Sequence, residues 1–145
     1  MTASVVLITG ALTGIGRATA LAFAQEGAKI VVSGRRDEAG HALTQELRSL
    51  GAEAEFIRTD VRHEDEVRDL IDKTVARFGR LDVAVNNAGT EGKPGPVTEQ
   101  TPESYAATFD TNVLVGPSRC HRPLWWRPIH SVFWSSRSAV KSSMT

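Results

Sequence analysis

The run Val5-Val6-Leu7-Ile8-Thr9-Gly10-Ala11-Leu12-Thr13-Gly14-Ile15-Gly16-Arg17 constrains this chain more than any other stretch. Four apolar residues lead without a gap into a glycine-rich turn and then an alanine-rich helical pattern, which is the order of a strand, a tight turn and a helix. Four apolar residues without polar alternation suit a strand buried on both faces, and hence a parallel sheet covered by helices. Gly10, Gly14 and Gly16 carry no Cβ, so backbone N–H groups can approach an anion held at the positive end of the next helix. The turn therefore reads as a phosphate cradle, with Thr13 and Ile15 inside it. Its Gly-x-x-x-Gly-x-Gly spacing differs from the commoner Gly-x-Gly-x-x-Gly of dinucleotide sites.

The strand-helix unit then recurs. A helix over 14–26 sets Ile15, Ala18, Leu21, Ala22 and Gln25 along one stripe toward the sheet and stops at Gly27. A strand over 29–33 leads to a helix over 37–50 with Ala39, Ala42, Leu43, Leu47 and Leu50 on one face, stopped by Gly51. A third strand over 54–58 precedes a helix over 64–78 with Val67, Leu70, Ile71, Val75 and Phe78 inward, and residues 81–86 form a fourth strand. Strands separated by helices of these lengths need right-handed crossovers. The predicted fold is α/β, a Rossmann-type doubly wound parallel sheet in the order 3-2-1-4, incomplete on its C-terminal side. Gly92, Pro94, Gly95 and Pro96 mark a loop over 90–101, and Thr101-Pro102-Glu103 opens another helix.

Three further features bear on chemistry. Arg35 and Arg36 follow the second strand, where an NAD site usually places an acid on the adenosine ribose. A guanidinium there can fork onto a 2′-phosphate, a charge-assisted bond worth roughly 1.5–3 kcal/mol, so NADP is the expected cofactor and NAD the weaker one. The plainer alternative is a solvated pair at a strand end. Asp60-Val61 leaves the third strand where an adenine edge would lie, and Asn86-Asn87-Ala88-Gly89 follows the fourth, where small residues let backbone approach a cofactor.

In this order and spacing, Thr9-Gly10-x-x-x-Gly14-x-Gly16, Asp60-Val61, Asn86-Asn87-Ala88-Gly89 and Asn112-Val113 make residues 1–116 resemble the N-terminal part of a short-chain dehydrogenase/reductase. The resemblance implies hydride transfer between a nicotinamide cofactor and an alcohol or carbonyl, run by an Asn-Ser-Tyr-Lys set in which tyrosine is the general acid/base. It assigns cofactor contacts to Gly10, Thr13, Gly14, Ile15, Gly16, Arg35, Arg36, Asp60, Val61, Asn87, Ala88 and Gly89. Asn112 matches the catalytic asparagine, although a structural, helix-kinking asparagine is the equal alternative. The one tyrosine, Tyr105, has Phe109 four residues on, and no Tyr-x-x-x-Lys occurs. Ser135, Ser136 and Ser138 are the serines in the region where the family's serine would fall. A positioned general acid/base supplies about 10²–10⁴-fold in rate, so efficient turnover is not expected of this chain. The second reading is a catalytically silent NADP-binding module or a subunit-interaction fragment.

Composition changes at about Gly116. Residues 1–116 hold 12 Lys/Arg against 17 Asp/Glu, whereas 117–145 hold five basic residues and no acid, all three tryptophans, seven serines, and Pro117, Pro123 and Pro128. The expected organisation is a nucleotide-binding unit over 1–116 and a divergent basic tail over 117–145, the product of truncation or a reading-frame shift. A downstream frame that restores Tyr-x-x-x-Lys in the coding nucleotides is its test. A Trp-rich basic tail invites a nucleic-acid or membrane reading. Its prolines and lack of period favour an unpatterned tail with neither partner. His121 and His130 lack metal-ligand spacing, so no metal is expected. Single Cys120 cannot form an internal disulfide, and the run 5–8 is too short for a signal or a membrane span, which points to a cytoplasmic protein. The fourth strand is expected to be an exposed edge, open to another chain, and a homo-oligomer is a possibility that the family resemblance raises.

Overall fold

A computed structural model of the chain describes residues 3–92, 94–112 and 131–134. Strand β1 (Val5–Thr9) is buried at all five positions, because it has a parallel neighbour on each side. One is β2 (Lys29–Gly34), with Val6 opposite Ile30, and the other is β4 (Val83–Asn86), with Val6 opposite Val83. Strand β3 (Ala54–Arg58) joins the outer side of β2, giving the expected order β3-β2-β1-β4. The sheet does not stop there. A fifth strand, β5 (Ser131–Trp134), runs parallel to β4 with Val83 opposite Ser131. This corrects the expectation of an open β4 edge and of a tail without any element at 131–134. Four residues are too few to show alternation, and the ladder that orders them comes from β4, a partner distant in sequence.

Strand alternation divides the core into two layers. Val6, Ile8, Ile30 and Val32 point to the face covered by α1 (Gly14–Gln25) and α2 (Asp37–Ser49), where they meet Ala20, Ala24, Leu43 and Leu47. Leu7 and Val31 point the other way, onto Leu70 of α3 (Glu64–Phe78) and Leu81. In α3 the inward face is the expected one, with Val67 and Leu70 buried and Ile71, Val75 and Phe78 partly so.

In α1 the expected stripe is mostly wrong, although Leu21 is partly buried against the core as expected. Gly16, Ala20 and Ala24 face the sheet, while Ala18, Ala22 and Gln25 are exposed and Ile15 is 48% exposed. The positions of α1 fully buried against the strands are all Gly or Ala, with Leu21 and Phe23 packing at the flanks. Size rather than hydrophobicity chose the face. Helix α2 is partly corrected in the same way: Leu43 and Leu47 are inward, but Gly40 and Thr44 join them, whereas Ala42 and Leu50 are exposed. Gly40 lies beneath the Phe56 ring, and Thr44 tolerates burial because its hydroxyl donates to the Gly40 carbonyl at 2.9 Å.

After β4 the chain passes through a short 3-10 turn (Val97–Glu99) into α4 (Pro102–Asn112). Thr101 caps α4 as expected: the Ser104 N–H donates to Thr101 Oγ1 at 3.2 Å, and the Thr101 N–H donates back to Ser104 Oγ at 3.1 Å. On the outer strand, Glu55 of β3 pairs with Arg48 at 3.5 Å and Arg77 at 3.6 Å, charge that discourages further strand pairing along that edge. At the amino end of the sheet, buried Asp82 accepts the Val5 N–H at 2.8 Å and pairs with Arg80.

Candidate functional site

The carboxyl ends of β1 to β4 open into one cleft of about 290 Å3, with α4 as its far wall. Gly10 enters it from β1, Gly34 and Arg35 from β2, Thr59, Asp60, Val61 and Arg62 from β3, and Ala88, Gly89 and Thr90 from β4. The chain order along the sheet reverses between β1 and β4, so the cleft lies at a topological switch point, where doubly wound sheets hold their ligands.

The join between β1 and β4 is tight. At Gly10 (φ +62°) an added Cβ would come 2.7 Å from Ala88 Cα, and at Gly16 it would come 2.5 Å from Asn87 Nδ2. Asn87 Nδ2 donates to the carbonyls of Gly10 at 3.0 Å and Thr9 at 3.3 Å. Thr9 Oγ1 accepts the N–H groups of Asn87 and Ala88, both at 3.2 Å, and donates to the Val85 carbonyl at 3.4 Å. One donor and two acceptor sites are all that a hydroxyl has, so Thr9 is fully used. No local pattern marks this role, although Thr9 stands first in the motif.

The α1 N-terminus differs from its neighbours. Helix α2 begins with Asp37 and Glu38, and α3 with Glu64, Asp65 and Glu66, acids that offset the positive end of a helix. The first turn of α1 has no acid, and its N-cap Thr13 makes no side-chain cap bond. Gly14, Ile15 and Gly16 form that turn, beside the cleft rather than among its lining residues. Arg17, next in the motif, binds both oxygens of Glu46 through its Nη2 at 2.6 Å and ties α1 to α2.

Arg35 lines the cleft and has no hydrogen-bond or ion-pair partner among the described residues. Arg36 is the N-cap of α2 and lies outside the lining. Asp60 is engaged by Arg62, whose Nε donates to Oδ1 at 3.0 Å and Oδ2 at 3.1 Å, whose Nη2 donates to Oδ2 at 2.6 Å, and whose N–H donates to Oδ1 at 3.1 Å. The Arg62 fork first, then its N–H and charge together with the Arg35 charge, hold the Asp60 carboxyl at about 2 against the opposing push of burial. Arg62 was not among the expected contacts, nor were Thr59, Thr90, Ala107 and Thr111, which topology alone brings in.

Asn112, at the end of α4, turns its amide onto the backbone of one residue, Thr90. Oδ1 accepts the Thr90 N–H and Nδ2 donates to the Thr90 carbonyl, both at 2.8 Å. Tyr105 is 61% exposed on α4, stacked on Phe109 with ring centroids 4.2 Å apart, and does not line the cleft. Cys120, His121, His130, Val113, the boundary at 116 and the serines at 135, 136 and 138 lie outside the described residues. Among the described residues no group of three or more His, Cys, Asp and Glu could hold a metal ion, and no helix is long and apolar enough to cross a membrane.

A sequence profile of the short chain dehydrogenases matches residues 4–122. The chain belongs to that family. L-fucose dehydrogenase of Oryctolagus cuniculus is 44% identical over 110 residues, covering 76% of this chain and 37% of that protein. Among solved structures, a variant of actinorhodin polyketide ketoreductase with NADPH superposes at a TM-score of 0.74 and 37% identity, over 77% of this chain and 42% of that one. An NADH-dependent reductase complexed with NAD superposes at 0.72 and 32% identity, over 78% of this chain and 47% of that one. The chain thus spans less than half the length of these short-chain dehydrogenase relatives, and the two structures differ in the nicotinamide cofactor that they hold.

Proposed function

We propose that this chain is the cofactor-binding part of an NADP-dependent short-chain dehydrogenase/reductase, which moves a hydride between NADP(H) and a small alcohol or carbonyl. The observation that carries the reading is the convergence of residues from four separate motifs, Gly10, Arg35, Asp60-Val61 and Ala88-Gly89, on one cleft. The donor set fits such a cofactor: an acid-free helix N-terminus for the pyrophosphate, a guanidinium with no hydrogen-bond or ion-pair partner among the described residues for the 2′-phosphate, and the Asp60-Val61 exit of β3 for the adenine edge. NAD, which lacks the 2′-phosphate, gains nothing from Arg35 and is the weaker ligand. When bound, the nicotinamide supplies or receives the hydride. This chain's own residues hold the dinucleotide across the switch point, with Thr9 and Asn87 keeping the two strand exits in place.

A second reading, a module that binds NADP without catalysis, is favoured by Tyr105. The one tyrosine of the chain is absent from the cleft lining, and the Asn112 amide is spent on Thr90. The two readings separate in one experiment. NADPH is titrated by fluorescence, and turnover is then measured on simple ketones and alcohols. Binding with turnover, at rates lowered about 10²–10⁴-fold by the missing acid/base, supports the hydride-transfer reading, binding with no turnover supports the silent module, and failure to bind NADPH removes both.

A further inference from the structure

We propose that Arg62 sets the cofactor preference of the cleft by occupying Asp60 and so keeping Arg35 available to a 2′-phosphate. The inference rests on the reading of the cleft as an NADP site and adds a residue that this reading does not use. Arg35, Asp60 and Arg62 line the same cleft, two cations and one anion. Two guanidiniums compete for one carboxylate, and Arg62 holds it. Only Val61 separates Arg62 from Asp60, and the Arg62 N–H is already bonded to Oδ1, so closing the fork orders little additional chain. Asp110, on the α4 side, adds a favourable negative field at Arg62. Arg35 acts on Asp60 through its charge alone and makes no bond to it.

Removing the Arg62 charge changes both halves of this balance. The Asp60 side chain is 13% exposed, so the bared carboxylate would remain poorly hydrated and would draw Arg35 toward itself. It would also set an unpaired negative charge in the cleft that receives the 2′-phosphate. Both effects oppose NADPH, and neither has an equal counterpart for NADH, whose ribose carries no phosphate. Arg62 is therefore a positioning residue for the phosphate subsite, and its signature is a change in the ratio of the two affinities rather than a uniform loss.

The test is titration of the full chain and of R35Q, R62Q, D60N and D60N/R62Q with NADPH and NADH, read as the ratio of the two Kd values. R62Q is expected to weaken NADPH by about threefold to fivefold, the scale of a partly exposed ion pair, and to change NADH by less than about twofold. D60N/R62Q, which has no carboxylate to divert Arg35, is expected to restore the parent ratio, whatever D60N costs both cofactors in common. An R62Q ratio equal to that of the parent, or a double variant that keeps the R62Q ratio, overturns the role of Arg62. If R35Q also leaves the ratio unchanged, the NADP reading falls, and the Arg62 inference with it. A shifted R35Q ratio beside an unshifted R62Q ratio removes Arg62 alone.

Discussion

At the level of single residues, Gly10 and Gly27 separate two reasons for being glycine. Both have positive φ, +62° and +74°, but a Cβ at Gly27 meets nothing within 4 Å, whereas at Gly10 it meets the Ala88 backbone at 2.7 Å. Gly27→Ala should therefore cost only the left-handed strain, about 1 kcal/mol. Gly10→Ala adds a backbone clash of overpacking size and should cost roughly 2–4 kcal/mol. Urea denaturation of the two variants checks the difference, and equal losses would contradict the tight β1–β4 join. Asp60 supplies a pH prediction. Its carboxyl titrates at about 2 in the folded chain against an ordinary value of 3.8, so between those values the unfolded chain binds more protons. The stability that Asp60 contributes is complete above about pH 4 and is lost as the pH falls toward 2. Asp60→Asn should flatten that part of the acid limb in a series of thermal melts from pH 7 to pH 2, while leaving the limb above pH 5 parallel to the parent.

At the level of elements, Asn112 joins α4 to the segment after β4 by two hydrogen bonds, one to the N–H and one to the carbonyl of Thr90. Asn112→Ala loses both, about 1–2 kcal/mol together. Asn112→Asp keeps an acceptor for the Thr90 N–H but turns a second oxygen on the Thr90 carbonyl, and should be at least as damaging. Hydrogen exchange at Thr90 and along α4 is the readout, with faster exchange expected in both variants and fastest in Asn112→Asp. The two roles open to Asn112 in the sequence differ only in where its amide points, and that depends on how a loop of more than ten residues returns α4 to the sheet. Periodicity was informative in mid-helix, where Val67, Leu70, Leu43 and Leu47 are inward as expected, but not at helix ends, where Ile15 and Leu50 are exposed. It misled where the strands admit only small side chains, since Gly16, Ala20, Ala24 and Gly40 carry little hydrophobic signal. The four strands and their order were legible because each strand-turn-helix is punctuated locally. Strand β5 was not, because its ladder depends on β4, 45 residues or more earlier in the chain.

For the molecule as a whole, the cleft has no single owner. Its lining comes from the ends of β1, β2, β3 and β4 and from Ala107 and Thr111 of α4, elements that are each short. Gly10, Arg35 and Asp60 were legible as separate motifs, but their meeting, and the entry of Arg62 and α4, follow from the switch in strand order rather than from any local pattern. A ligand that spans these ends binds only the assembled sheet, so its binding free energy becomes folding free energy. At 100 times its Kd, NADPH should stabilise the chain by about 2.7 kcal/mol, which for a domain of this size raises the Tm by about 5–10 °C. NADH at the same concentration should raise it less, because Arg35 has no 2′-phosphate to bind. Thermal melts with NADPH, with NADH and without cofactor make the comparison in one protein sample. Equal shifts would remove the role given to Arg35, and no shift with either cofactor would mean that the cleft does not hold a nicotinamide dinucleotide.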